Sequence, residues 1–156
     1  MHTKNKDWFF FFVASLVGLI FLRSSYGKFT SGKFASSLGG TLKHFASENP
    51  HVWVKTMLTD VMIPHSVVLG YMTMWGEFIS SICILIPVGY YLAKRTLTKP
   101  MSLLLGAGLL GGAFLNWTFW FASSWTSASA DSLNLLMALI QTVGLVFVIK
   151  QYRSAK

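Results

Sequence analysis

The chain has 156 residues, of which 53% are hydrophobic and 15% aromatic, while charged residues supply only 12% and leave a formal net charge of +8. A soluble surface carries about twice that share of charge, so the composition excludes an ordinary water-soluble enzyme and points to a small integral membrane protein. The positive excess does not indicate nucleic acid as a partner. The basic residues sit in short clusters beside long apolar runs, where they meet lipid headgroups and set orientation.

A membrane-spanning helix needs roughly 20 mainly apolar residues, and four segments approach that length. The first covers residues 8–22 and extends as far as 26. Lys4 and Lys6 precede it and a small-x-small triplet, Ser25-Tyr26-Gly27, follows it, which together resemble a signal peptide. An uncleaved helix is expected instead, because Arg23 interrupts the approach to the triplet and three further spans follow. Residues 23–64 form a connection longer than a passive loop. Within it Phe34, Leu38, Leu42, Phe45 and Ala46 recur at helical spacing, with Lys33, Lys43 and His44 between them, which predicts an amphipathic helix lying on the membrane. Asn49-Pro50 marks a turn, and residues 52–62 predict a second short helix that ends before Pro64.

The second, third and fourth spans are expected over residues 66–92, 101–122 and 132–149. The basic connection Lys94-Arg95-Thr96-Leu97-Thr98-Lys99 is expected on the cytoplasmic side, and the uncharged stretch 123–130 on the outer side. Both termini then face the cytoplasm in a cell (inner or plasma) membrane. The expected architecture is all-α: residues 1–156 form one domain, a four-transmembrane-helix bundle with a long outward-facing loop between helices 1 and 2.

Several motifs carry less than they suggest. Gly106-Ala107-Gly108-Leu109-Leu110-Gly111 matches a dinucleotide-binding pattern, but no strand precedes it and no ribose-binding acid follows in a βαβ context. The GxxxG pair Gly108 and Gly112 reads as a helix-packing surface. Asn116-Trp117-Thr118 matches a glycosylation sequon inside a span, where it would not be used. Cys83 is the only cysteine, so one chain forms neither a disulfide nor a CxxC pair. The four histidines lack a zinc spacing, and the tryptophans Trp117, Trp120, Trp125 and Trp53 read as an interfacial belt.

Glu77 is the most informative residue. It lies roughly 16 Å into the second span at 1.5 Å per residue, where a carboxylate needs a counter-charge, a proton or a polar cavity. Arg23, toward the outer end of the first span, is the natural counter-charge, although it could equally snorkel to the interface. Asn116, Asn134 and Gln141 add amides on the third and fourth spans that also need internal partners. This set could hydrogen-bond a quinone headgroup, with Glu77 relaying protons, or could simply hold the helices together.

Arg23-Ser24-Ser25-Tyr26-Gly27-Lys28-Phe29, Gly32-Lys33-Phe34, Asn49-Pro50, Trp53, Pro64, Gly76-Glu77, Asn116 and Asn134 together resemble the DoxX/DoxD-like family. The resemblance covers most of the chain, though no single element is diagnostic. It implies a small four-helix membrane protein, similar on the DoxD side to the large subunit of thiosulfate:quinone oxidoreductase, which couples thiosulfate to tetrathionate and passes electrons to a membrane quinone. The function expected is therefore a subunit of a quinone-linked oxidoreductase. Arg23 and Glu77 are its candidate catalytic residues, joined by Asn116 and Asn134 around quinone, with Lys28 and Lys33 binding the anionic substrate and no metal. Its expected partners are membrane lipid and a second protein subunit. The competing expectation is a non-catalytic accessory subunit that stabilises a larger membrane complex by helix packing. A small transporter is the weakest reading, because no inverted repeat is visible.

Overall fold

The computed structural model describes residues 4–154, and within that range the chain is helical with no strand. Helix α1 (Lys4–Ser31) is followed by α2 (Phe34–Ser47) and by α3 (Val52–Met57), which continues into a π-helical turn (Leu58–Met62). Helices α4 (Ser66–Lys94), α5 (Lys99–Ser123) and α6 (Ala128–Ser154) complete the chain. Helices α1, α4, α5 and α6 contain apolar spans of 24 to 29 residues, long and hydrophobic enough to cross a membrane. Helix is the form such segments must take, because in hydrocarbon each backbone N–H and C=O has to find its partner within the segment.

The breaks between helices follow local chemistry. Gly32 adopts φ 62°, ending α1 in the left-handed conformation that glycine reaches without steric cost. Arg95 ends α4 in the same region at φ 56°, its N–H donating to the Tyr91 carbonyl at 2.7 Å. Thr98 is extended before α5, which has a proline in its first turn, where a missing N–H costs nothing.

Helices α1, α4, α5 and α6 form a closed ring in which α4 packs on α1 and α5, α5 on α6, and α6 less extensively on α1. The core contains Phe11, Val17, Phe21, Ile84, Val88, Leu105, Leu109 and Met137. Phe11 stacks on Tyr91 with ring centroids 3.8 Å apart. Side chains such as Phe9, Leu19, Ile79, Leu110, Phe114 and Val143 point outward, as expected of helices whose outer surface meets lipid rather than water. Gly108 brings α5 against α4 so closely that a Cβ there would stand 2.8 Å from the Cys83 Cβ. The glycine run therefore packs helices, as its GxxxG spacing implied.

Two expectations about the first connection change. Helix α1 does not stop near residue 26 but runs to Ser31, which places Lys28 within the bundle helix. The remaining connection, residues 32–65, is largely folded into α2, α3 and the π-helical turn, the short helices that the spacing predicted. The amphipathic helix forms where the spacing predicted it, but its apolar face packs on protein. Leu42 and Ala46 join Val54, Leu58 and Ala122 in a second buried cluster that caps one end of the bundle. Asn49 anchors this cap, its buried amide donating to the Phe121 and Ala122 carbonyls at 3.2 and 3.1 Å near the end of α5.

Gly70 of α4 is the closest point between cap and bundle, since a Cβ there would lie 2.5 Å from the Ala35 Cα. The obstruction is backbone, which cannot rotate away. Gly70→Leu should therefore lower unfolding stability in detergent by about 1–3 kcal/mol, read from the thermal midpoint, by lifting α2 from α4.

Candidate functional site

Burial along α1 follows a stripe through Phe11, Ala14, Val17, Phe21 and Ser25, and at i+3 the stripe reaches Lys28. There the Lys28 Nζ meets both carboxylate oxygens of Glu77 on α4, at 2.5 Å each. The same ammonium donates to the Ser24 Oγ at 2.8 Å and lies 5.1 Å from the centroid of Phe34 on α2. Glu77 is only 2% exposed, whereas the Lys28 side chain retains 18% of its accessible surface. One ion pair thus ties α1 to α4, with the cap of α2 lying over its cationic end.

The expected pairing of Glu77 with Arg23 does not form. Arg23 is exposed, with no ion-pair partner among the described residues. It stands five residues before Lys28, and at about 100° per residue that rotates it roughly 140° around α1 from the buried stripe. Lys28, expected at an anionic substrate, holds its ammonium against the Glu77 carboxylate. Lys33 is exposed at the start of α2.

The amides separate into two groups. Asn116 is buried and donates from Nδ2 to the Gln141 Oε1 at 2.8 Å, tying α5 to α6. The Gln141 Nε2 is buried with no hydrogen-bond partner. Asn134 stands seven residues from Gln141, about 10 Å along α6, half-buried and outside this pair. Gly76 faces Leu115, which puts Glu77 and Asn116 at a similar level of the bundle, but no hydrogen bond joins them. The four-helix polar set expected from sequence is therefore two cross-helix pairs, Lys28 with Glu77 and Asn116 with Gln141.

Next to these pairs is a feature that sequence reading missed. A chamber of about 560 Å³ lies between α2, the π-helical turn, α4 and α5. Its walls include Leu38, Phe45, Met62, Met72, Phe114 and Phe119, and it reaches α4 at Thr73, Gly76 and Ser80. Those three α4 residues fall at i, i+3 and i+7, one helical face, so the small and hydroxylated stripe was visible in sequence. What concealed it was the roof, which depends on α2 folding back over α4. A shallower groove of about 240 Å³ lies between α5 and α6 near Arg153. Among the described residues there is no cluster of side chains able to hold a metal ion.

Removing one member of a buried pair leaves the other charged and unsolvated. Lys28→Met should lower stability by about 3 kcal/mol, and Arg23→Gln should change it by less than about 0.5 kcal/mol. Adding Glu77→Leu to Lys28→Met should recover most of the loss, which chemical unfolding in mixed micelles would measure.

Comparison of the chain with protein-family models, with curated proteins and with solved structures found no match, so the likeness to DoxX/DoxD-like proteins rests on the residue spacing alone.

Proposed function

We propose that the chain is the membrane subunit of a quinone-linked oxidoreductase, with Lys28 and Glu77 serving proton exchange beside a bound quinone. The observation that carries this reading is the asymmetry of the ion pair. Its carboxylate is buried within a spanning helix, its ammonium is partly exposed, and the residue next to Glu77, Gly76, lines the chamber. Reduction of a quinone to a quinol takes up two electrons and two protons, so a site in hydrocarbon needs a proton-carrying group with access to the surface. Intramembrane ionisable side chains commonly fill that role.

In this reading the cap of α2 and α3 faces outward and both termini are cytoplasmic, since the basic turn at Lys94 and Arg95 lies at the bundle end opposite the cap. In this reading electrons come from a partner subunit. Thiosulfate is a donor that the residue resemblance suggests. Two thiosulfate ions joined by a new S–S bond give one tetrathionate and release the two electrons that the quinone accepts. With Lys28 paired, Lys33 is an exposed cation of the cap able to attract such an anion, as are Lys43 and Lys55.

A second reading, an accessory subunit without chemistry of its own, has one observation in its favour. Glu77 accepts from Lys28 through both oxygens, and Asn116 is bonded to Gln141, as expected if polar groups serve only to join helices.

The two readings part at Glu77→Gln. Glutamine still accepts a hydrogen bond from Lys28 but carries no exchangeable carboxyl proton. On the first reading, quinone reduction per folded complex should fall at least about a hundredfold, the lower end of what an acid–base group contributes, when assayed well below the thermal midpoint, which itself falls because Lys28 loses its counter-charge. Undiminished turnover would take Glu77 out of the chemistry and favour the accessory role.

A further inference from the structure

The chamber has its own polar chemistry, separate from the ion pair. Its volume of about 560 Å³ falls among those of small-molecule sites, and no charged residue lines it. An uncharged occupant is therefore favoured over a phosphate-bearing lipid. Met57, Met62 and Met72 contribute to its walls, and methionine is the side chain that best adapts to an irregular apolar guest. Phe45 and Phe119 offer aromatic surface for a ring to lie against.

Two hydroxyls stand out against this lining. Ser81 bonds back to the Phe78 carbonyl at 2.7 Å, and Thr118, which also lines the chamber, to the Phe114 carbonyl at 2.8 Å. Ser80 and Thr73, which both line the chamber, have no hydrogen-bond partner among the described residues. Ser80 is only 5% exposed, and its Oγ lies against Gly111 of α5, where a Cβ would come within 3.0 Å of it. Among the described residues the one buried side-chain polar atom without a partner is the Gln141 Nε2, so the Ser80 oxygen keeps open space beside it, which the chamber supplies.

The spacing of the two hydroxyls is informative. Seven residues of helix separate Thr73 from Ser80 by roughly 10 Å at 1.5 Å per residue. Between them Gly76 presents bare backbone to the chamber. The two oxygens of a para-quinone lie about 5 Å apart across the ring, and an O–H···O bond adds about 2.7 Å at each end, which makes a donor-to-donor span of the same length.

We propose that the chamber binds the quinone headgroup, with the ring over Gly76, the Thr73 and Ser80 hydroxyls donating to its two carbonyl oxygens, and the apolar tail leaving past Met72 toward lipid. This deepens the quinone-linked reading and rests on it. It moves the ring away from Asn116 and Asn134, which were the sequence-derived candidates, and makes Thr73 and Ser80 the residues that recognise carbonyl oxygen. It also separates binding from proton exchange, since Glu77 belongs to the next residue along α4 and points to α1.

The test is isothermal titration of the full chain in detergent with a benzoquinone bearing a ten-carbon alkyl tail. Decylbenzene, which has the tail and ring without carbonyls, and dioctanoylglycerol, a neutral ester lipid, are titrated in parallel. Ser80→Ala and Thr73→Val preserve shape and remove one hydroxyl each. Each should weaken quinone binding about tenfold, the loss expected for one hydrogen bond, while the weaker binding of decylbenzene stays unchanged. Should Thr73→Val fail to fold, Ser80→Ala decides alone. Quinone binding indifferent to both substitutions would overturn the chamber assignment and leave the quinone-linked reading standing. Absence of quinone binding by the unmodified chain would overturn both. Tighter binding of dioctanoylglycerol with the same hydroxyl dependence would overturn the choice of a ring and make the chamber an ester-lipid site.

Discussion

A charge that leaves water for hydrocarbon needs a counter-charge at hydrogen-bonding distance, and in this chain Lys28 and Glu77 meet that requirement for each other. Much of the arrangement follows from it. Helix α1 has no direct connection to α4, because α2, α3 and the π-helical turn intervene. Apolar packing alone lets one helix slide on another with small changes in energy, whereas a single buried contact between charges has one register. Once Lys28 faces Glu77, the stripe from Phe11 to Ser25 falls against Ile84, Val88 and Tyr91. Phe34, at the start of α2, is then drawn over the ammonium.

The pair of Asn116 and Gln141 does for α5 and α6 what the ion pair does for α1 and α4, with neutral groups and at lower cost in desolvation. The four helices are thereby fastened two by two. The α4–α5 seam between these fastenings is held by small residues, Gly108 against Cys83 and Gly111 against Ser80. Toward the cap the same seam opens into the chamber, where α2 and the π-helical turn stand off from α4 and α5. A π-helical turn widens the helix and is often found beside functional cavities, and here it supplies Val61 and Met62 to the lining.

The spans were legible because apolar length is a direct consequence of bilayer thickness, and all four helices lie where the hydropathy put them. The amphipathic spacing of Phe34 to Ala46 located α2, and the importance of Glu77 followed from depth alone. The partner of Glu77 was misread for a specific reason. Residues 23–31 carry cations, serines and a glycine, a composition that resembles a loop, so α1 was ended too early and Lys28 was left outside it. The helical face argued otherwise, since Ser25 and Lys28 extend the stripe that Arg23 leaves. The chamber could not be read from any one segment, because its walls come from residues up to 84 positions apart, Leu38 and Ala122. The likeness to DoxX/DoxD-like proteins could not say which side chains meet.

The separation of 49 positions between Lys28 and Glu77 also bears on biogenesis. During synthesis α1 emerges first and enters the bilayer carrying a cation with no counterpart. When α4 follows, its carboxylate is unfavourable in lipid by at least about 2–3 kcal/mol until it reaches the first span. Stable insertion of the second span therefore depends on retention of the first beside the translocation channel. Once paired, the two spans form a unit against which α5 and α6 pack.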